Sequence, residues 1–146
     1  EQYVEALKLL APIAQKYGIM LVVEALNRGE CNLVNTIDEG AEAVKRCNHP
    51  QVSLLVDIFH MLRNGESPDG ISRHASLVTH SHLAEDKDRA EPGKYNDDFR
   101  PYLKALRAAP LCQRLTIECV WSTGDLRQSY SGALHALRRQ LADAGY

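Results

Sequence analysis

Four short apolar segments, each ending in a residue that can bind a hard metal ion, alternate with helical segments along this chain of 146 residues. Apolar runs of this length suit strands that are buried on both faces of a parallel sheet. The segments between them carry helical spacing or cap signals, such as the capping box formed by Thr36 and Glu39. The alternation predicts an α/β fold in which helices connect parallel strands, with strands at 19–24, 52–57, 77–82 and 115–120.

Two parallel-sheet architectures fit this pattern, the open doubly wound sheet and the (β/α)8 barrel. Neither glycine-rich phosphate-binding motif, G-x-G-x-x-G or G-x-x-x-x-G-K-[ST], follows any predicted strand. A complete barrel needs about 250 residues, whereas this chain supplies four βα units and contains no linker. Residues 1–146 are therefore predicted to form one domain, which in the barrel architecture is a partial TIM barrel.

Charge and apolar content argue against two classes of partner. The net charge is −2, which provides no general attraction to nucleic acid or to an anionic membrane. No apolar run approaches the roughly 20 residues that a membrane-spanning helix needs. Four cysteines occur without a C-x-x-C pair, a pattern typical of reduced thiols in the cytosol. We therefore expect a cytoplasmic protein that binds neither nucleic acid nor membrane.

Residues at or near the carboxyl ends of the four predicted strands form a candidate metal site. The carboxyl ends of parallel strands meet at one edge of a sheet or barrel, where sites of these folds lie. Three carboxylates and one imidazole make a mostly oxygen donor set, which suits Mn²⁺, Mg²⁺ or Co²⁺. Burying three carboxylates together without a cation would be costly, because like charges repel and lose hydration. The four residues are Glu24, Asp57, His82 and Glu118.

Several residues near these strand ends are candidates for supporting roles. His60 follows the second strand and is either a surface residue or a contact to substrate or to a ligand. His80 alternates with His82 and should share its face of the strand, as packing or as a neighbour of the site. Arg89 lies in a charged loop that turns at Pro92 and Gly93 and could hold a substrate oxygen.

Four stretches of this chain resemble the xylose isomerase-like TIM barrel superfamily, and most closely its ketose 3-epimerase group, which includes the tagatose and psicose 3-epimerases. Residues 24–30, EALNRGE, are similar to that group's E-x-L-N-R-x-E after the fifth strand, and residues 57–61, DIFHM, to its D-T-F-H-M after the sixth. His82, Arg89 and Pro92-Gly93 resemble its H-x-G-E-x-N-R-x-x-P-G. Glu118 falls where the group's eighth strand ends in glutamate.

The resemblance implies an α/β fold that is the C-terminal half of a (β/α)8 TIM barrel, from the fifth to the eighth strand. It implies a divalent-metal-dependent sugar isomerase or epimerase, acting by proton transfer through an enediolate on a ketose or related polyol. The cofactor would be one Mn, Co or Mg ion, with Zn also allowed. The partner would be a small sugar, and we expect a homo-oligomer.

The resemblance also assigns roles to individual residues. Glu24, Asp57, His82 and Glu118 would bind the metal ion. Glu24 and Glu118 would also be the catalytic acid and base. The residues expected to contact substrate are Glu30, His60 and Arg89.

Departures from the motifs leave other activities open. Ile58 replaces the group's threonine, Ala84 replaces its glycine, and Arg89 lies one residue further from the histidine. Inosose dehydratases and hydroxypyruvate isomerase-like enzymes of the superfamily are the alternatives, as is a truncated, inactive half-barrel. A type 2 AP endonuclease is disfavoured, because residues 84–100 lack an Asp-x-His pair and the basic surface expected for DNA is absent.

Overall fold

A computed structural model describes residues 1–121 and 124–146. All four predicted strands are present, and they form one parallel sheet. Their bounds are β1 Leu21–Glu24, β2 Val52–Asp57, β3 Val78–Leu83 and β4 Leu115–Ile117. The last strand is shorter than the predicted 115–120. Beyond Ile117 the contact with the neighbouring segment continues through a hydrogen bond from the Glu118 N–H to the Leu83 carbonyl, at 3.0 Å, and an isolated bridge between Ala90 and Val120.

The order of the strands distinguishes the two candidate architectures. The strands lie side by side in chain order, β1-β2-β3-β4, and every neighbouring pair is parallel. A doubly wound sheet reverses its strand order at a switch point, whereas a barrel adds each strand beside the preceding one. The topology is therefore that of four consecutive βα units of a barrel, as the motifs imply.

Six α-helices accompany the sheet in the part of the chain that the structure describes. One of them, a seven-residue helix that starts directly after β2, was not predicted from the sequence. Asp57 both ends the strand and caps this helix, so no turn residues separate the two elements. The helices are α1 Gln2–Lys16, α2 Ile37–Cys47, α3 Ile58–Asn64, α4 Asp69–Arg73, α5 Arg100–Leu106 and α6 Leu126–Ala144.

The start of α2 follows from local hydrogen bonding. The Thr36 hydroxyl accepts a hydrogen bond from the Glu39 backbone N–H at 3.1 Å. The Glu39 carboxylate in turn accepts from the Thr36 N–H at 3.2 Å, which completes the predicted capping box. The helix N-terminus and the loop that precedes it are thereby fixed together.

Replacing the capping hydroxyl should destabilise the fold measurably. We expect Thr36→Ala to lower the free energy of unfolding by about 1 kcal/mol, because the Glu39 N–H loses its acceptor. Thr36→Ser retains the hydroxyl and should lose less than half as much. Urea unfolding followed by circular dichroism measures both, and equal losses in the two variants would contradict the capping role.

The core lies between the sheet and its helices. Val23, Leu54 and Leu83 face this core and are fully buried. Glu24, Asp57 and His82 lie on the opposite face of the sheet, which in a barrel is the interior. No described helix is both long and apolar enough to cross a bilayer.

A β-bulge in β3 aligns its side chains with those of β2. Val78 of β3 pairs with Leu54 of β2. The next residue of β2, Leu55, pairs with His80 rather than with Thr79. One extra residue is therefore accommodated in β3, and from His80 onwards the strand is displaced by one position. The bulge brings His82 opposite Asp57.

Candidate active site

The four predicted metal ligands converge at the carboxyl ends of the strands. Each offers one ligand atom, and all four atoms lie within 4.8 Å of one another. The His82 Nδ1 atom lies between the two outer carboxylates, 3.7 Å from Glu24 Oε1 and 3.5 Å from Glu118 Oε2. This arrangement joins residues from β1, β2, β3 and the segment after β4 at one point.

The Asp57 carboxylate is oriented by the helix that it caps. Its Oδ1 atom accepts a hydrogen bond from the Phe59 backbone N–H at 2.9 Å. Its Oδ2 atom points the other way and lies 3.6 Å from His60 Nε2 and 3.5 Å from an Arg89 nitrogen. Because one oxygen is held by the backbone, the other is directed into the site.

The protonation equilibria of these groups reflect their crowding. Burial raises the pKa of Asp57 to about 7, and the adjacent Glu24 carboxylate adds to that shift. The nearby His82 ring lowers the pKa of Glu24 below its usual value, and the same contact raises the pKa of His82. Carboxylates this close resist full ionisation unless a positive charge stabilises them.

Two buried atoms support the fit of a cation to this cluster. Glu24 Oε1 and His82 Nδ1 are both inaccessible to solvent and have no hydrogen-bond partner among the described residues. Buried polar atoms without partners are costly, and a metal ion is one of the groups that can pair them. The donor set of three carboxylates and one imidazole fits a divalent ion that prefers oxygen ligands.

Arg89 lies against the same cluster. Its guanidinium contacts the carboxylate of Glu118 and lies 3.9 Å from Glu30 Oε2. It also stacks over the Phe59 ring, with 4.7 Å between the guanidinium carbon and the ring centroid. Both Asp88 and Arg89 adopt positive φ angles, of 60° and 49°, a conformation that is unfavourable for residues other than glycine. Such local strain is characteristic of functional loops.

His60 is buried, so the surface alternative for this residue is wrong. Only 2% of it is exposed, and its Nε2 atom lies 3.8 Å from Glu24 Oε1. Burial lowers the pKa of His60, which favours the neutral ring. Its other nitrogen, Nδ1, is contacted by Asn27, a residue that the sequence prediction did not single out.

Glu85 is a second residue with a role that the sequence prediction did not assign. Its carboxylate is fully buried and accepts hydrogen bonds from three backbone N–H groups of the following loop. The donors are Gly93 at 2.6 Å, Asn96 at 3.1 Å and Tyr95. One side chain therefore fixes the loop that carries Arg89.

The remaining candidates lie outside the four-residue cluster. His80 shares the face of His82, with 4.8 Å between ring centroids, and its Nε2 lies 3.3 Å from the Thr116 hydroxyl. Trp121 packs edge-on against Tyr130 of α6, with 4.1 Å between centroids. Trp121 therefore contributes to packing between the segment after β4 and α6.

Comparison with known proteins extends these observations. The sequence profile of the xylose isomerase-like TIM barrel family matches residues 1–140. A D-psicose 3-epimerase of Ruminiclostridium cellulolyticum is 37% identical over 95 residues, which is 64% of this chain and 32% of that enzyme. An inosose isomerase of Bacillus subtilis is 26% identical over 126 residues, or 79% of this chain and 45% of the relative.

A solved structure shows the same fold. The crystal structure of a D-psicose 3-epimerase in the presence of D-fructose superimposes with a TM-score of 0.77 and 28% identity. The match covers 97% of this chain and 53% of that structure. The chain thus spans about half the length, or less, of these relatives, in agreement with a partial barrel.

Proposed function

The chain belongs to the xylose isomerase-like TIM barrel family, and from this membership we propose that it carries the proton-transfer site of a metal-dependent ketose 3-epimerase. The observation that carries the proposal is the placement of two carboxylates around one point. Glu24 and Glu118 come from the first and last of the four strand ends, and His82 lies between them. A substrate bound beside that point would have a carboxylate on each side of its reacting carbon.

The two carboxylates give the reaction its stereochemistry. One glutamate removes the proton from the carbon next to the substrate carbonyl, which produces an enediolate. The opposite glutamate returns a proton to the other face, and the configuration at that carbon is inverted. General acid–base catalysis by positioned side chains typically contributes 10²–10⁴-fold to the rate.

The cluster would hold one divalent ion through Glu24, Asp57, His82 and Glu118. When bound, the ion would supply electrostatic stabilisation of the negative charge that develops on the substrate oxygens. We propose Mn²⁺, Co²⁺ or Mg²⁺, because three of the four donors are carboxylates.

Three further side chains are proposed to bind the sugar. The Nη1 atom of Arg89 lies 3.9 Å from Glu30 Oε2. The two side chains offer a donor and an acceptor for the hydroxyl groups of the sugar. His60 Nε2 lies beside Glu24 and Asp57 and can donate to a substrate oxygen held near them. These groups orient the sugar relative to the two glutamates.

The remaining walls of the substrate pocket would come from further barrel strands. In the described part of the chain, β1 and β4 each have a neighbouring strand on one side only. Apolar residues are exposed on β1 and just beyond β4, including Val22 and Val120. We propose that residues 1–146 form one partial-barrel domain whose edges pair with such strands, and that the working enzyme is a homo-oligomer.

Metal removal and isotope exchange test the proposed function together. The protein, loaded with Mn²⁺, is incubated with D-fructose in D₂O, and the sugars are analysed by NMR. We expect deuterium at C3 and formation of the C3 epimer, because the abstracted proton exchanges with solvent. EDTA should abolish both signals, and addition of Mn²⁺ should restore them. Epimerisation that persists in EDTA would exclude metal dependence.

The inosose isomerase relative favours a second substrate class. The same pair of glutamates could transfer a proton next to the carbonyl of a cyclic inosose. A parallel incubation with an inosose distinguishes the candidates, since deuterium incorporation into the inosose but not into D-fructose would replace the ketose assignment.

A further inference from the structure

Asn27 connects two of the side chains proposed to bind substrate. Its Nδ2 atom lies 2.7 Å from Glu30 Oε1 and 3.0 Å from His60 Nδ1. Its backbone N–H also donates to His60 Nδ1, at 3.2 Å. Only 6% of the residue is exposed, so water does not compete effectively for these contacts.

The orientation of the Asn27 amide follows from its partners. The Oδ1 atom accepts a hydrogen bond from the Gly29 N–H at 3.0 Å. A flipped amide would place this oxygen against the Glu30 carboxylate and its NH₂ group against the Gly29 N–H, which are both repulsive contacts. The amide therefore presents its two hydrogens to Glu30 and His60.

This orientation determines which nitrogen of His60 carries the proton. Two N–H donors of Asn27 are directed at Nδ1, so Nδ1 must be the acceptor. In the neutral ring the proton then lies on Nε2, the atom that faces Glu24 and Asp57. A protonated Nε2 cannot ligate a metal ion, but it can donate to an oxygen.

We propose that Asn27 is a positioning residue that holds His60 in the Nε2–H tautomer, so that His60 acts as a hydrogen-bond donor to a sugar oxygen and not as an additional metal ligand. The donor role rests on the proposed epimerase function, whereas the tautomer assignment does not. The same amide holds Glu30, so one residue orients two substrate contacts, one on its own loop and one on helix α3.

The tautomer is measured by NMR of ¹⁵N-histidine-labelled protein at about pH 8, above the ordinary histidine pKa. Resonances of His60 are identified with a His60→Gln variant. In the unmodified protein we expect an unprotonated Nδ1 and a protonated Nε2, both without metal and with Mg²⁺. A proton on Nδ1 of the unmodified protein would overturn the proposal, whatever any variant does.

Asn27→Asp reverses the polarity of the contact at nearly constant volume. The carboxylate oxygen that replaces the NH₂ group can only accept, while the backbone N–H still donates to Nδ1, so we expect the share of His60 rings protonated on Nδ1 to rise. Asn35→Asp is the matched control, because Asn35 is equally buried and its amide holds the same loop through the carbonyls of Leu26 and Cys31. Asn35→Asp should leave the His60 tautomer unchanged.

Kinetics provide the second readout. If D-fructose is epimerised, we expect Asn27→Asp to lower kcat/KM at least 10-fold, chiefly through KM, since a substrate contact is lost. An unaltered His60 spectrum in Asn27→Asp, or the same change in Asn35→Asp, would overturn the proposal. Absence of epimerisation in the unmodified protein would refute the proposed function but would leave the tautomer measurement decisive for Asn27.

Discussion

Glu118→Gln should lower kcat for the proposed epimerisation by about 10²–10⁴-fold, the range attributed to a positioned acid or base. An amide has nearly the same shape as the carboxylate but does not accept a proton near neutral pH. The amide oxygen can still face the cluster that Glu118 Oε2 faces now, 3.5 Å from His82 Nδ1. We therefore expect the loss mainly in kcat, measured at saturating Mn²⁺ so that weakened metal binding does not contribute.

The control for this variant is a carboxylate far from the site. Glu42 is exposed on α2, and Glu42→Gln should keep the unmodified rate. Deuterium exchange into D-fructose is a second measurement. In a variant that lacks one glutamate, the other can still exchange the C3 proton with solvent, although inversion at C3 is blocked. A Glu118→Gln protein that retains full epimerase activity would refute the two-carboxylate mechanism.

Glu85→Gln should destabilise the protein by about 3 kcal/mol or more. The buried carboxylate accepts from the N–H groups of Gly93, Tyr95 and Asn96, and glutamine would direct its own NH₂ group at some of these donors. Each buried donor left without an acceptor costs about 1–3 kcal/mol. We also expect a higher KM, because the loop that holds Arg89 loses its anchor.

The neighbouring residue provides a matched comparison for Glu85. Asp86 is half-exposed and forms a surface ion pair with Arg63, so Asp86→Asn should change stability by less than about 0.5 kcal/mol. Urea unfolding compares the two variants, and limited proteolysis reports on residues 86–97 directly. Equal stability in Glu85→Gln and Asp86→Asn would show that the buried carboxylate does not organise the loop.

The sequence predicted the parallel order of elements and the clustering of the four strand-end residues. Both depend on short-range patterns, since a buried strand is an apolar run and its last residue necessarily lies at the edge of the sheet. The position of Arg89 near this edge followed from the loop in which it lies. The catalytic and metal-binding roles of these residues remain proposals.

Other features could not be predicted because they do not depend on the spacing of apolar residues along the sequence. Helix α3 begins at the residue after β2, where Asp57 serves both elements and no turn signal marks the boundary. Glu85 bonds to N–H groups 8 to 11 residues further along the chain, and Asn27 reaches His60 across 33 residues. Contacts of this kind depend on how the loops pack, which single-residue preferences do not encode.

The bulge in β3 divides the strand into two parts that respond differently to a change in chain length. Thr79 is the residue that the ladder skips, so its deletion would leave a regular strand in which His82 still lies opposite Asp57. Because successive side chains of a strand point to opposite faces, deletion of Ser81 would instead turn His82 towards the helices and place Leu83 opposite Asp57. A one-codon deletion can therefore preserve the candidate site or remove a ligand from it, depending on which side of the bulge it falls.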